Sequence, residues 1–327
     1  MSFRTRRILV AIRDESRAPR SALRKAAMLA RASGARVELY HAINAPQAID
    51  ALRRGLVRGD QSRDIIEREV ERAEKKLSRF AALKDFKGLK VTCRATWDYP
   101  SHEAIIREAM ASGADLIIAS VQPRTTGGRL LLANNDWELI RHSPCPVLLV
   151  KSNRAWRKPA VVAAVDPFHA HDKPASLDRR ILEAGQYLAR ELGGQLHAFH
   201  AFMPLTIIAP APAGQALYLA LPAGAEDVHT EQVKRTFERT IAKFSIPPAR
   251  RHLEMGLPHD ELVRVAREIG AGIAVTGAIS RSAWRRFIIG NTAEKVLDQL
   301  SCDLLVVKPG NFQTRVPRRA TMAWLEG

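Results

Sequence analysis

The sequence predicts an α/β protein of two tandem, doubly wound Rossmann-like domains, each with a five-stranded parallel sheet. Two observations carry this. Short apolar runs alternate with amphipathic helical stretches along the whole chain, the pattern of a parallel sheet covered on both faces. The pattern also occurs twice. Ala114-Asp-Leu-Ile-Ile-Ala-Ser120 aligns with Ala271-Gly-Ile-Ala-Val-Thr-Gly277, and Cys145-Pro-Val-Leu-Leu-Val-Lys151 with Cys302-Asp-Leu-Leu-Val-Val-Lys308 at the same offset. A repeat of this length is a domain duplication, not a solenoid of short units.

In the first copy, Ile8-Leu-Val-Ala-Ile12 reads as a buried strand. A helix over 19–33 follows, with Ala22, Leu23, Ala26, Ala27, Leu29 and Ala30 as its apolar stripe and Gly34 as its stop. Then come strand 36–43, a charged helix over 61–82, strand 90–95, a helix from Ser101 to Ser112, strand 115–120, helix 135–142 and strand 146–150. The second copy repeats the order: strand 160–166, helix 175–192, strand 195–202, helix 226–244, strand 249–254, helix 259–269, strand 272–277, helix 291–300 and strand 303–307. The expected domains are 1–152 and 159–310, with a tail over 311–327. The polar segment between them is short, so the halves are expected to pack together rather than swing.

One segment departs from the repeat. Residues 203–222 carry no charge, whereas the shorter equivalent stretch 44–60 contains Arg53, Arg54 and Arg58. Pro204, Pro210, Pro212 and Pro222 argue against a membrane span. An uncharged loop of this length must be covered, either by protein or as a lid over an apolar or lipid-like ligand.

The 327 residues carry a formal charge of +17. A basic surface favours polyanions in general. The charge lies mostly in mixed faces such as helix 61–82, where Glu67, Glu71 and Glu74 accompany Arg68, Arg72 and Lys75. Interleaved aromatics and recognition motifs are lacking, which disfavours nucleic acid as a partner. Cys93, Cys145 and Cys302 form no CxxC or metal-ligand spacing, and the basic N-terminus runs straight into a strand, so a cytoplasmic protein is expected.

The most specific local signal is Gly277-Ala-Ile-Ser280-Arg-Ser-Ala-Trp-Arg-Arg-Phe-Ile-Ile-Gly290-Asn291-Thr292. It leaves a strand and enters a helix. Glycines at both margins admit close backbone approach, and a helix N-terminus bearing Asn and Thr offers donors to phosphate. Arg281, Arg285 and Arg286 could add charge-assisted contacts. The same residues also suit a plain turn, with Asn291 or Thr292 as the helix cap.

With these residues in view, the chain resembles the universal stress protein family, whose nucleotide-binding members carry Gly-x2-Gly-x9-Gly-[Ser/Thr] after the fourth strand. Here the spacing is kept, with Ser280 at the second glycine position and Asn291 at the last. The resemblance extends to tandem, E-type members through Trp97-Asp-Tyr-Pro100, Asp136-Trp-Glu-Leu-Ile-Arg-His-Ser-Pro-Cys-Pro-Val147, Met255-Gly-Leu-Pro258 and Gly290-Asn-Thr-Ala-Glu-Lys-Val296. It implies an adenine nucleotide alpha-hydrolase-like fold and a stress-response binding module rather than a dedicated enzyme. It also implies a site for ATP or another adenine nucleotide, with no metal beyond the Mg²⁺ that accompanies ATP. Family members that bind ATP hold the adenosine with an aspartate at the end of the first strand. Asp166 stands there in the second copy, and Arg13 in the first. The first copy also lacks the glycine spacing. The resemblance therefore implies cofactor contacts from Asp166, Gly277, Ser280, Gly290, Asn291 and Thr292, and a structural or dimerising role for the first copy. Ser280 weakens the phosphate loop if φ > 0 is required there, at a cost of about 1 kcal/mol.

Other candidates are weaker. His169-Ala-His171-Asp172 lacks a further ligand set for a metal. His41 and His200 fall near equivalent strand ends and read as near-core histidines. Asp14-Glu15 suits a helix start. No Ser/His/Asp or Cys/His constellation can be assembled, so no catalytic residue is assigned. Monomer and homodimer are both compatible with the sequence.

Overall fold

The computed structural model describes residues 3–43, 59–121, 134–168, 176–204, 207–210, 216–219, 224–277 and 299–319. For 59–63, 134, 207–210 and 216–219 it describes the backbone path only. The first half runs β1 (Arg7–Ile12), α1 (Arg20–Ser33), β2 (Arg36–Ile43), α2 (Gly59–Ala81), β3 (Val91–Trp97), α3 (Ser101–Ser112), β4 (Leu116–Ser120), α4 (Asn134–His142) and β5 (Val147–Val150). The second runs β6 (Ala160–Ala164), α5 (Ser176–Glu191), β7 (Gln195–Phe202), β8 (Ile207–Pro210), β9 (Ala216–Leu219), α6 (Ala225–Ile241), β10 (Arg251–Met255), α7 (Pro258–Glu268), β11 (Ile273–Gly277) and β12 (Asp303–Val307). The expected helix over 291–300 falls almost wholly outside the described residues.

The strands of both halves form one ten-stranded sheet in the order β10-β7-β6-β11-β12-β5-β4-β1-β2-β3. All neighbours are parallel except β12 and β5, which pair antiparallel through Leu304↔Leu149, Leu305↔Leu148 and Val306↔Val147. Strand pattern alone could not reveal this seam. A fully apolar strand reads the same at a sheet edge as in its centre.

Helices cover both faces. On one, α1, α2, α5 and α6 pack through residues such as Leu23, Leu77, Ile181 and Phe237. On the other, α3, α4 and α7 pack through Ile106, Ile140 and Val265. Both apolar layers contain residues from both halves, so the core runs across the boundary. The stripe on α1 is buried as its spacing requires, and Gly34 closes the helix at φ 71° with its N–H on Ala30 O. The start of α3 is pinned by Arg107, whose Nε and Nη2 donate to both Asp98 oxygens at 2.7 and 2.8 Å.

Polar groups reinforce the seam. Lys25 Nζ lies 2.5 Å from Asp303 Oδ2, and both side chains are excluded from solvent. Asp303 Oδ1 accepts the N–H groups of Lys151 and Ser152, each at 2.9 Å. The Trp156 indole N–H donates to Asp303 Oδ2 at 2.8 Å, which ties the linker down. The two equivalent lysines behave reciprocally. Lys151 Nζ donates to Leu300 O at 2.7 Å and Lys308 Nζ to Arg141 O at 3.0 Å, each reaching across to the other half. Burial pushes Lys308 down to about 7.

The uncharged segment is not a plain loop. β8 and β9 pair antiparallel, Ile207↔Leu219 through Pro210↔Ala216, as a separate two-stranded ribbon. Ile207, Ile208, Leu217 and Tyr218 supply the strand-forming residues, and the prolines that suggested a loop fall outside the strands or at the end of β8. No helix among the described residues is long and apolar enough to cross a membrane.

Candidate functional site

In a doubly wound sheet, ligands bind outside the carboxyl ends of the strands where the chain order reverses. In the second half this point lies between β6 and β11, which pair through Ile273↔Val161 and Val275↔Ala163. Asp166 and Gly277 therefore stand on neighbouring strand ends. Ser280, Gly290, Asn291 and Thr292 lie outside the described residues, as do Arg281, Arg285, Arg286 and the His169–Asp172 segment. The structure thus brings together two of the six sequence-selected residues and describes no position for the other four.

Asp166 sits two residues past the last residue of β6, in the turn before α5, and not inside the strand as expected. Its N–H donates to Asp178 Oδ1 at 2.9 Å, and Asp178 is buried in the first turn of α5. That bond turns the chain out of the sheet while leaving the Asp166 side chain at the surface of the crevice. The Asp166 carboxylate is partly exposed and has no hydrogen-bond or ion-pair partner among the described residues. Asp178 was not singled out by sequence, although an acid in a helix's first turn is a visible signal.

Gly277 has a packing reason independent of any ligand. A Cβ there would lie 2.7 Å from Leu177 Cδ2 and 3.1 Å from Ile181 Cδ1. The glycine lets α5 close down on the end of β11.

The first half is built differently at the equivalent point. Arg13, where the second half has Asp166, forms an ion pair with Asp136, whose side chain is fully buried in the first turn of α4. A guanidinium therefore occupies the crevice that the aspartate borders in the second half. Sequence showed the Arg-for-Asp exchange but not the partner. Asp136 opens the Asp136-Trp-Glu motif, and its pairing depends on how far α4 lies from β1.

His41 and His200 are buried, as their positions suggested. His41 Nδ1 lies 2.8 Å from Ile12 O and His200 Nδ1 3.1 Å from Val165 O, so each ring ties its strand to the end of the neighbouring one. Glu15 lies 3.3 Å from His41 Nε2 and accepts Lys76 Nζ at 2.9 Å. Glu15 thus joins β2 to α2 rather than serving only as a helix cap. Cys145 and Cys302 are buried, and burial pushes both thiols up to about 11, far from a nucleophile's range. No cluster of three or more metal-ligating side chains occurs among the described residues.

The rim of the second-half crevice carries a feature that sequence reasoning missed. Phe168, Met203, Met255 and Leu257 are exposed large apolar side chains, and all four follow or end the strands β6, β7 and β10. Each is unremarkable in the sequence; only strand order gathers them at one end of the sheet.

Comparison with known proteins fits this geometry. The model of the universal stress protein family matches residues 4–151 and again 161–308. Universal stress protein E of Escherichia coli K12 is 29% identical over 240 residues, which cover 70% of this chain and 72% of that protein. The Photorhabdus laumondii protein of the same name is 28% identical over 231 residues, covering 69% and 71%. A solved structure of a putative universal stress protein from Pseudomonas aeruginosa is similar with a TM-score of 0.67 and 25% identity, covering 93% of this chain and 94% of that one. One from Archaeoglobus fulgidus, at 18% identity and a TM-score of 0.61, shares the fold over 94% and 100%. Two matches to one family model, joined in a single sheet, place this chain in the universal stress protein family as a tandem member of the E type.

Proposed function

We propose that this protein is a stress-response binding module that holds an adenine nucleotide, ATP among them, at the carboxyl ends of β6 and β11. The observation that carries this reading is the contrast between Asp166 and Arg13. At the switch point of the second half a carboxylate keeps its acceptor capacity unspent among the described residues. Such a group suits the hydroxyls of a ribose. At the same point of the first half, Arg13 is neutralised by buried Asp136. The first half then acts as structural support and the second as the ligand-bearing half. Gly290, Asn291 and Thr292 would offer the phosphates a helix N-terminus, and Gly277 and Ser280 would set the path of the loop. The reading assigns binding, not catalysis.

Calorimetric titration of ATP, ADP and AMP tests it. Micromolar binding that weakens at least tenfold in Asp166→Ala, and is unchanged in Arg13→Ala, is the expected result. Equal affinity in the wild type and Asp166→Ala would remove Asp166 from the site.

A second reading is favoured by the exposed Phe168, Met203, Met255 and Leu257. An apolar or lipid-like ligand would enter at the same strand ends and cover them. Native mass spectrometry of freshly purified protein separates the two readings: a copurified apolar molecule supports the second, and a nucleotide mass the first.

A further inference from the structure

At the opposite end of the second half, beneath the linker, lies a cavity of about 1010 Å³. Arg154, Trp156, Arg157 and Lys158 of the linker line it, together with His197 and Arg267. It opens at the amino ends of β6, β7, β11 and β12. That places it roughly 20 Å from Asp166 along β6 at the usual rise per strand residue. It is therefore separate from the crevice described above.

Its charge is one-sided. Among the residues lining it, Asp303 is the only acid, and Asp303 is spent on Lys25. Arg154, Arg157, Lys158 and Arg267 are exposed and have no carboxylate partner among the described residues. Elsewhere the basic side chains are commonly paired, as Arg264 is with Glu254, Glu261 and Glu268. Four unpaired cations around one concavity repel each other and raise the local positive potential.

The wall is also held rigidly. Trp156 is anchored by its bond to Asp303. Pro159 is clamped three ways. A Cβ on Gly272 would lie 2.7 Å from Pro159 Cβ, one on Gly194 would lie 2.1 Å from Pro159 O, and Gln195 N–H donates to that same oxygen at 3.0 Å. Arg157 and Lys158 lie between these two anchored residues. Lys158 is held at φ 47°, a left-handed conformation that non-glycine residues rarely adopt. The turn therefore places two exposed cations side by side at the cavity mouth.

We infer that this cavity is a binding site for a small, multivalent phosphate-bearing anion. The guanidinium forks of Arg154, Arg157 and Arg267, all lining one cavity, suit phosphate oxygens in charge and in bidentate donor pattern. The volume is that of a small-molecule pocket. Single-stranded nucleic acid fits less well, since both aromatic rings of the lining are buried, Trp156 with Lys25 Nζ over it and His197 stacked on His252, which leaves no exposed ring for base stacking. An anion bridging the linker and α7 would also stabilise the seam beside Asp303.

The test is calorimetric titration of the full chain with inorganic triphosphate at physiological ionic strength. Saturable binding is expected. It weakens at least tenfold in Arg154→Gln/Arg157→Gln/Lys158→Gln and at least threefold in the single variant Arg267→Gln, which leaves the linker intact. Asp166→Ala is expected to leave it unchanged. A control, Arg72→Gln/Arg179→Gln/Arg190→Gln, removes the same three charges from exposed positions elsewhere and should keep affinity within twofold. Absence of binding to the wild type, or an equal loss in the control, would overturn the site. So would tight binding of oligothymidylate that triphosphate does not displace, which would identify the cavity as part of a nucleic-acid surface.

Discussion

Lys25 on α1 and Asp303 on β12 lie 278 residues apart in sequence and 2.5 Å apart in space, with no solvent between them. The pair is completed by three further donors to Asp303, from Lys151, Ser152 and Trp156. One buried carboxylate therefore holds together the first helix, the linker and the last described strand.

Removing one partner of such a pair leaves the other charged and buried. Asp303→Asn is expected to destabilise the chain by about 3–5 kcal/mol. Lys25→Met/Asp303→Leu should lose less than the sum of the two single variants, because neither charge is then left unpaired. Urea unfolding of the wild type, Lys25→Met, Asp303→Leu and the double variant measures the coupling; strict additivity would mean that the pair does not act as a unit.

Gly277 separates packing from ligand contact. Gly277→Ala places a methyl against Leu177 and is expected to cost about 1–3 kcal/mol by overpacking. Leu177→Ala relieves the collision, so it should lower Tm less in the Gly277→Ala chain than in the wild type. If Gly277→Ala melts like the wild type but binds nucleotide less well, the glycine serves the ligand and not the helix.

Glu38 is buried on β2, and burial together with the neighbouring Glu108 carboxylate pushes its pKa up to about 7. The unfolded carboxyl titrates near 4.5, so between these values the folded protein holds the extra proton. Stability falls as pH rises through that window. Glu38→Gln removes the penalty: its Tm should exceed that of the wild type at pH 8 and match it near pH 4.5. A constant difference across the range would assign the effect to packing.

His197 and His252 stack on β7 and β10, with Nδ1 of the first 3.0 Å from Nε2 of the second. Burial, followed by the neighbouring His252 and Arg250, pushes His197 down to about 4, and burial lowers His252. Both rings are favoured neutral in the fold. Their contribution is complete above the unfolded histidine value near 6.5 and is lost as pH falls toward 4, on the order of 3 kcal/mol for His197. The stability of the wild type minus that of His197→Leu should fall from pH 7 to pH 4; a constant difference would rule out this coupling.

The elements were legible because their signals are local. Apolar runs marked β1, β4, β5 and β12, and the buried stripe with Gly34 marked α1. What the sequence concealed depends on distance. Asp303 was not singled out, because nothing within reach in sequence pairs with it; its partner sits among the alanines of α1. Arg13 was visible as an exchange for aspartate, but Asp136 was not visible as its counter-ion. The exposed apolar rim is made of single residues that only strand order brings together. The hairpin of β8 and β9 was obscured by prolines, although Ile207, Ile208 and Tyr218 favour strand.

The antiparallel seam between β5 and β12 has an evolutionary consequence. When two identical chains pair, every substitution is made in both crevices at once, and a change that closes one closes the other. Fused in a single chain, each half accepts changes alone. Arg13 in one crevice and Asp166 in the other are compatible in this way, because the continuous sheet joins the two halves whatever each crevice carries.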